Sequence, residues 1–129
     1  MNRKKDKTQL TEVELELMSI FWELEEGSVT DVLHEVIKHR KMAYTSASTI
    51  VRILENKKFL KSKKVGNARI YTPLVTRAEY ESRSLTKMVK KLFNNKPLAM
   101  VARLMQEEDL SEEDLRAMKN LLEKKLSND

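Results

Sequence analysis

Few residues in this 129-residue chain are spaced for covalent or metal chemistry. His34 and His39 lie five apart in "HEVIKH". On a helix that turns them about 140° from each other, whereas the zinc-protease pattern needs a pair four apart. The chain has no cysteine, which excludes thiolate metal sites, thiol nucleophiles and a disulfide framework. Glu107-Glu108-Asp109 and Glu112-Glu113-Asp114 form an acidic run, but acids at a helix N-terminus already have a structural role there. No Gly-rich phosphate loop and no nucleophile elbow occurs. The expectation is no enzyme, no catalytic residue, no metal and no cofactor.

Hydrogen-bonding chemistry is another matter. "AYTSASTIVRIL", residues 43–54, has helical apolar spacing yet carries two serines and two threonines, residues that favour caps and turns over helix interiors. At 100° per residue, Ala47, Ile50, Val51 and Leu54 fall on one face. Ser48, Thr49, Arg52, Glu55 and Asn56 fall on the opposite face, with Ser46 at its edge. A helix entering the DNA major groove needs small side chains where it approaches base edges and a long donor that reaches them. Arg52 is the natural bidentate donor to guanine, while Ser and Thr hydroxyls bond phosphates or bases. The first-turn amides of Ser46 and Ala47 suit a phosphate. A plain solvated face is the alternative for this stretch taken alone.

Charge distribution favours the polyanion. The net charge is +5, but it is segregated. Residues 38–72 hold ten Lys and Arg against one acid, whereas residues 8–37 hold eight acids and no Lys or Arg. Lys57, Lys58, Lys61, Lys63, Lys64 and Arg69 flank the hydroxyl-rich helix, the footprint expected of nucleic-acid binding. Lys63, Lys64, Asn67 and Arg69 are expected at a hairpin tip, meeting the phosphate backbone beside the groove.

The elements that must position these groups can be read in order. Residues 1–9 form a basic, loose arm. Thr11-Glu12-Val13-Glu14 is a capping box opening a helix with Leu17, Met18, Phe21 and Leu24 on its apolar stripe, and Trp22 as a half-core anchor. Ser28-Val29 reads as a bridging strand and Thr30 as the cap of a second helix, with Val32, Leu33, Val36 and Ile37 inward. Thr45 is the expected N-cap of the third. Two short strands follow around Gly66-Asn67, both residues tolerating a left-handed backbone. Helix-turn-helix plus a basic hairpin is the winged-helix plan. The fold class is therefore mainly α: a winged helix-turn-helix domain over 10–75, three helices plus a short β-hairpin wing, followed by a C-terminal helical dimerisation domain over 76–129.

Three amphipathic helices fill that second region. Thr76-Arg77-Ala78-Glu79 is a further capping box, Pro97 suits a helix first turn, and Ser111 with Asp114 caps the last helix. Their apolar positions are Leu85, Met88 and Leu92, then Leu98, Val101, Leu104 and Met105, then Leu115, Met118 and Leu122. So few helices bury such stripes poorly alone, and self-association as a C2 dimer is expected. No apolar run approaches the ~20 residues of a membrane span, so a cytoplasmic protein without membrane insertion is expected.

The residues that carry these features also carry a resemblance. "LTEVELELMSIFW" at 10–22, "SVTDVLHEV" at 28–36, "AYTSASTIVRILENKKFL" at 43–60, "ARIYTPLV" at 68–75 and "EEDLSEEDL" at 107–115 resemble the penicillinase and methicillin-resistance repressors with their copper-responsive relatives, the BlaI/MecI/CopY family. The resemblance implies a dimeric winged-helix transcriptional repressor of antibiotic-resistance type, bound as a homodimer to a double-stranded, palindromic DNA operator. It carries the recognition-helix role onto Thr45, Ser46, Thr49 and Arg52. It also implies a membrane sensor or protease that induces release by cutting an Asn-Phe bond in the dimerisation helices. Registered on Glu-Asp-Leu-Ser, that bond falls at Arg103-Leu104, and no Asn-Phe pair occurs in this chain. The cysteine cluster of the copper-responsive branch is likewise missing. Lys58 stands where many relatives have glycine, and a left-handed backbone there costs about 1 kcal/mol. A winged-helix protein-interaction module binding an acidic partner is the alternative reading.

Overall fold

The structure is a computed structural model describing residues 9–128; the basic arm, apart from Gln9, lies outside them. The order of elements is α1 (Glu12–Leu24), α2 (Val29–Val36), α3 (Tyr44–Asn56), β1 (Leu60–Val65), β2 (Ala68–Pro73), α4 (Arg77–Leu92), α5 (Pro97–Glu107) and α6 (Glu112–Ser127). The chain divides into two compact units, one reaching to Ser84 and the other starting at Leu85.

The first unit is a winged helix-turn-helix. Thr11 and Glu14 form the capping box expected for α1, whose Leu17, Met18 and Phe21 are fully buried. They meet Val32 and Val36 of α2, Ala47, Val51 and Leu54 of α3, and Phe59, Leu60 and Tyr71 of the hairpin. Two residues expected on the inward stripes lie outside it: Leu24, the last residue of α1, and Ile37, the C-cap of α2, are exposed. Thr30 does not cap α2. Ser28 does, with Asp31 completing the box, and the bridging role belongs to Gly27, whose N–H and C=O both pair with Tyr71 at 3.0 and 2.8 Å.

At the end of α3 the chain turns on Lys58, with φ of 71°. Phe59 N–H donates to the Leu54 carbonyl at 2.9 Å and Lys58 N–H to Glu55 at 3.0 Å, the paired bonds of a Schellman motif. Its hydrophobic partners, Leu54 and Phe59, are both buried, so the turn is held by core packing despite its lysine. The hairpin runs in the register Leu60↔Pro73 to Val65↔Ala68. Gly66 takes a φ of 62° and Asn67 does not, the pattern of a type II′ turn, in which only the first central residue is left-handed.

Behind this core, Trp22 Nε1 donates to the Val75 carbonyl at 2.8 Å and Arg77 lies 4.9 Å over its ring. Tyr80, near the start of α4, packs edge-on to Phe59 at 5.7 Å and accepts from Leu10 N–H at 3.0 Å. Thr76 and Glu79 complete the capping box expected for α4.

In the second unit, Pro97 opens α5 and Ser111 with Asp114 boxes the start of α6. No described residue of α5 or α6 is buried. Leu92, Leu98, Leu104, Leu121, Leu122 and Leu126 each keep half or more of their surface in solvent, a large apolar area for an isolated chain.

Candidate nucleic-acid interface

The face of α3 turned away from the core is built as the helical spacing requires. Thr45, Ser46, Thr49 and Arg52 are exposed, while Ser48 and Glu55 are half-buried at its margins. Thr45 is not the N-cap. Ala43 occupies that position and supplies no side-chain cap, so Thr45 stands within the first turn. Ala47 N–H is committed to the Ala43 carbonyl at 3.0 Å, which corrects its assignment as a phosphate donor. The amides that precede any intrahelical bond are those of Tyr44, Thr45 and Ser46, and together with the helix dipole they can receive an anion. Lys41 and Arg40 line the groove beside this turn with Met42 and Ser46; Arg40 is held by Glu16 at 3.1 Å. Residue type does not mark Ala43 over Thr45 as the start of this helix, so the three open amides have no signal in the sequence.

The hydroxyls are not equivalent. Thr49 Oγ1 donates back to the Thr45 carbonyl at 2.9 Å. Its lone pairs and methyl remain for a partner, while its proton is used.

The hairpin divides its basic residues between two faces, because side chains alternate along a strand. Lys64 pairs directly with Arg69, and Lys63 with Ile70, so Lys63 and Lys64 point to opposite sides of the ribbon. All three cations and Asn67 are exposed. Like charges directly opposed across strands cost stability, and Lys64 faces Arg69 in that way.

Two flanking groups behave differently from the sequence expectation. Lys57 does not belong to the open basic flank: its Nζ is 2.7 Å from Glu14 Oε1 and 3.3 Å from the Gln9 carbonyl, largely out of solvent. Burial raises the Glu14 pKa, but the Lys57 hydrogen bond and charge and the Thr11 bonds outweigh it, leaving it below the ordinary carboxylate range. Arg69 Nη1 donates to Ser62 Oγ at 3.1 Å, and Ser62 donates to Glu55 Oε2 at 2.5 Å. Burial, then the Glu55 charge, raises the Tyr71 pKa, while Arg69 and Arg52 pull it the other way. Glu55, Arg69 and Arg52 thus converge where α3 meets the hairpin. No sequence signal marks the Glu55–Ser62 or Glu14–Lys57 pairings. Among the described residues, no cluster of His, Asp and Glu could hold a metal ion.

Comparison with known proteins places this architecture. The penicillinase repressor family model matches residues 10–124. The methicillin resistance regulatory protein MecI of Mammaliicoccus sciuri is 23% identical over 117 residues, covering 91% of this chain and 95% of that protein. The penicillinase repressor of Bacillus licheniformis is 24% identical over 115 residues, covering 89% and 90%. The solution structure of the DNA binding domain of the repressor BlaI superposes with a TM-score of 0.52 at 26% identity, covering 60% of this chain and 94% of that domain. A match running through both units, joined to a winged-helix fold, assigns the chain: it belongs to the penicillinase repressor family, a family of repressors and not of enzymes.

Proposed function

We propose that the chain is a sequence-specific DNA-binding transcriptional repressor acting as a homodimer on a palindromic operator, with residues 10–75 reading DNA and 76–129 pairing the copies. The observation that carries the reading is the outer face of α3. It combines exposed Thr45, Ser46, Thr49 and Arg52 with a helix start that has no side-chain cap. Ser48 completes the thin surface, and Arg52 reads a base edge. Lys63, Lys64, Asn67 and Arg69 hold phosphates, and a polyanion relieves the repulsion between Lys64 and Arg69. The DNA-binding domain of BlaI, a repressor by its name, has the same fold, and the relatives' names make antibiotic-resistance genes the expected targets.

The dimer rests on the second unit. Leu85, Met88, Leu92, Leu98, Val101, Leu104, Met105, Leu115 and Leu122 are exposed and Met118 is half-buried; a second copy is the occupant that a repressor of a dyad site requires. Such a protein works in the cytoplasm, and no helix among the described residues is long and apolar enough to cross a membrane. If a membrane sensor or protease induces release, it cuts a bond other than Asn-Phe, which this chain lacks.

Titration of wild type, Arg52→Ala and Lys63→Ala against operator and random duplexes tests the reading. Arg52→Ala is expected to lose about 1–3 kcal/mol on the operator and little on random DNA. Lys63→Ala is expected to weaken both alike and to lower the salt slope by about 1. Equal losses on both duplexes for both variants would remove the base-reading role and leave the basic face to an acidic protein partner.

A further inference from the structure

An acid on the outer face of a groove-reading helix needs a reason, because phosphates repel it. Glu55 is the single acid among residues 38–72, and it sits half-buried three residues after Arg52. Its carboxylate does not face outward alone. It accepts the Ser62 hydroxyl proton at 2.5 Å, and Ser62 accepts from Arg69 Nη1 at 3.1 Å.

The hydroxyl has a single proton, so the chain has one direction: Arg69 donates to Ser62, and Ser62 donates to Glu55. Each bond has a charged group at one end, which makes both stronger than neutral ones, and the half-buried setting of Glu55 and Ser62 strengthens them further. Ser62 is on β1 and Arg69 on β2. One carboxylate of the recognition helix therefore holds both strands of the hairpin. Leu60 and Tyr71 anchor the base of the hairpin in the core and Gly27 bridges to Tyr71. The ribbon is two-stranded, however, and its residues 63–69 are exposed, so the Glu55–Ser62–Arg69 chain is the polar tie nearest its open end.

We infer that Glu55 is a positioning residue: through Ser62 and Arg69 it fixes the hairpin against α3, so that base contacts and wing phosphate contacts are made in one register. This rests on the DNA-binding reading above. It reverses the ordinary expectation for the substitution. Removing an acid beside a polyanion should tighten binding; here it frees the wing.

The test compares Glu55→Ala, Glu55→Gln and Ser62→Ala in full-length protein. It measures operator affinity across a salt series and, without DNA, hydrogen exchange of the hairpin amides. Glu55→Ala is expected to bind the operator about tenfold more weakly, with a salt slope shallower by about 1–2 as Lys63 and Lys64 lose their phosphates. Its hairpin amides exchange faster. Glu55→Gln, which still accepts from Ser62 and has lost the charge, binds as tightly as wild type or more so. Ser62→Ala matches Glu55→Ala, and the double variant loses no more than either single one. Glu55→Ala binding as tightly as wild type, with an unchanged slope, overturns the inference. Wild-type protein that prefers no duplex overturns the DNA-binding reading instead, and hairpin exchange then decides separately whether Glu55 holds the wing.

Discussion

Lys58→Gly should make this protein more stable, although it removes a side chain and adds backbone freedom. Lys58 occupies the left-handed position of the α3 Schellman turn at φ 71°, where an L-residue other than Asn or Asp costs about 1–2 kcal/mol. Glycine removes that cost and returns about 0.4–1 kcal/mol through the greater entropy of the unfolded chain. The net gain is therefore about 1 kcal/mol. For a unit of this size, that raises the melting temperature by roughly 4–8 °C. Trp22 is the sole tryptophan and is tied to Val75 at the back of the core, so its fluorescence follows unfolding of the winged unit directly. The urea midpoint should rise with an unchanged m-value. Lys58→Ala is the control: it loses the same charge and stem but keeps the strained φ, and its midpoint should scarcely move. A glycine variant no more stable than the alanine variant would refute the strain argument, because the two differ chiefly in tolerance of that backbone.

Glu14→Gln separates the ion pair from the cap, since glutamine still accepts from Thr11 N–H. It should cost about 2 kcal/mol in denaturant titrations at neutral pH, between an exposed pair and a fully buried one. The folded Glu14 carboxyl titrates below its unfolded value. Its stabilisation is therefore complete above the ordinary carboxylate range and lost as pH falls through the depressed folded value; in Glu14→Gln that acid-side loss should shrink. In the second unit, Leu98→Asp places a charge on a residue 77% exposed in the single chain. Burial of a leucine is worth about 1.5–3 kcal/mol per copy, so sedimentation equilibrium should show markedly stronger dimer dissociation. Because a C2 dimer carries the substitution in both copies, the loss counts twice, and the dissociation constant should rise by roughly a hundredfold or more; an unchanged constant would move the dimer surface off α5.

Local signals carried most of the fold. Capping boxes at Thr11, Thr76 and Ser111 and the Gly66 turn are contained in a few consecutive residues and legible there, whereas the left-handed Lys58 is expected only from the glycine that the resembled family carries at that position. Where two local signals competed, the sequence reading went astray. Ser28 and Thr30 are both plausible caps, but only Ser28 has Asp31 three residues on. Thr45 is a better cap by type than Ala43, yet α3 starts at Tyr44, so tertiary packing of Ala47, Val51 and Leu54 sets the start. Stripe ends were misjudged at Leu24 and Ile37 because helical periodicity does not say where the partner element stops. Of the candidate site, residue types and their face on α3 were legible. Which charges are already engaged was not: Lys57 meets Glu14 across 43 positions, and Glu55 meets Ser62 only because the Schellman turn folds β1 back along α3.

The central claim is that this winged helix reads a DNA sequence, and selection from a pool of random duplexes addresses it most directly. Full-length protein should enrich a motif with dyad symmetry, its half-sites spaced by about one helical turn or a multiple of it, and its affinity for that motif should fall steeply and linearly in log–log salt plots. Recovery of duplexes with no shared motif, bound no more tightly than the starting pool, would contradict the account.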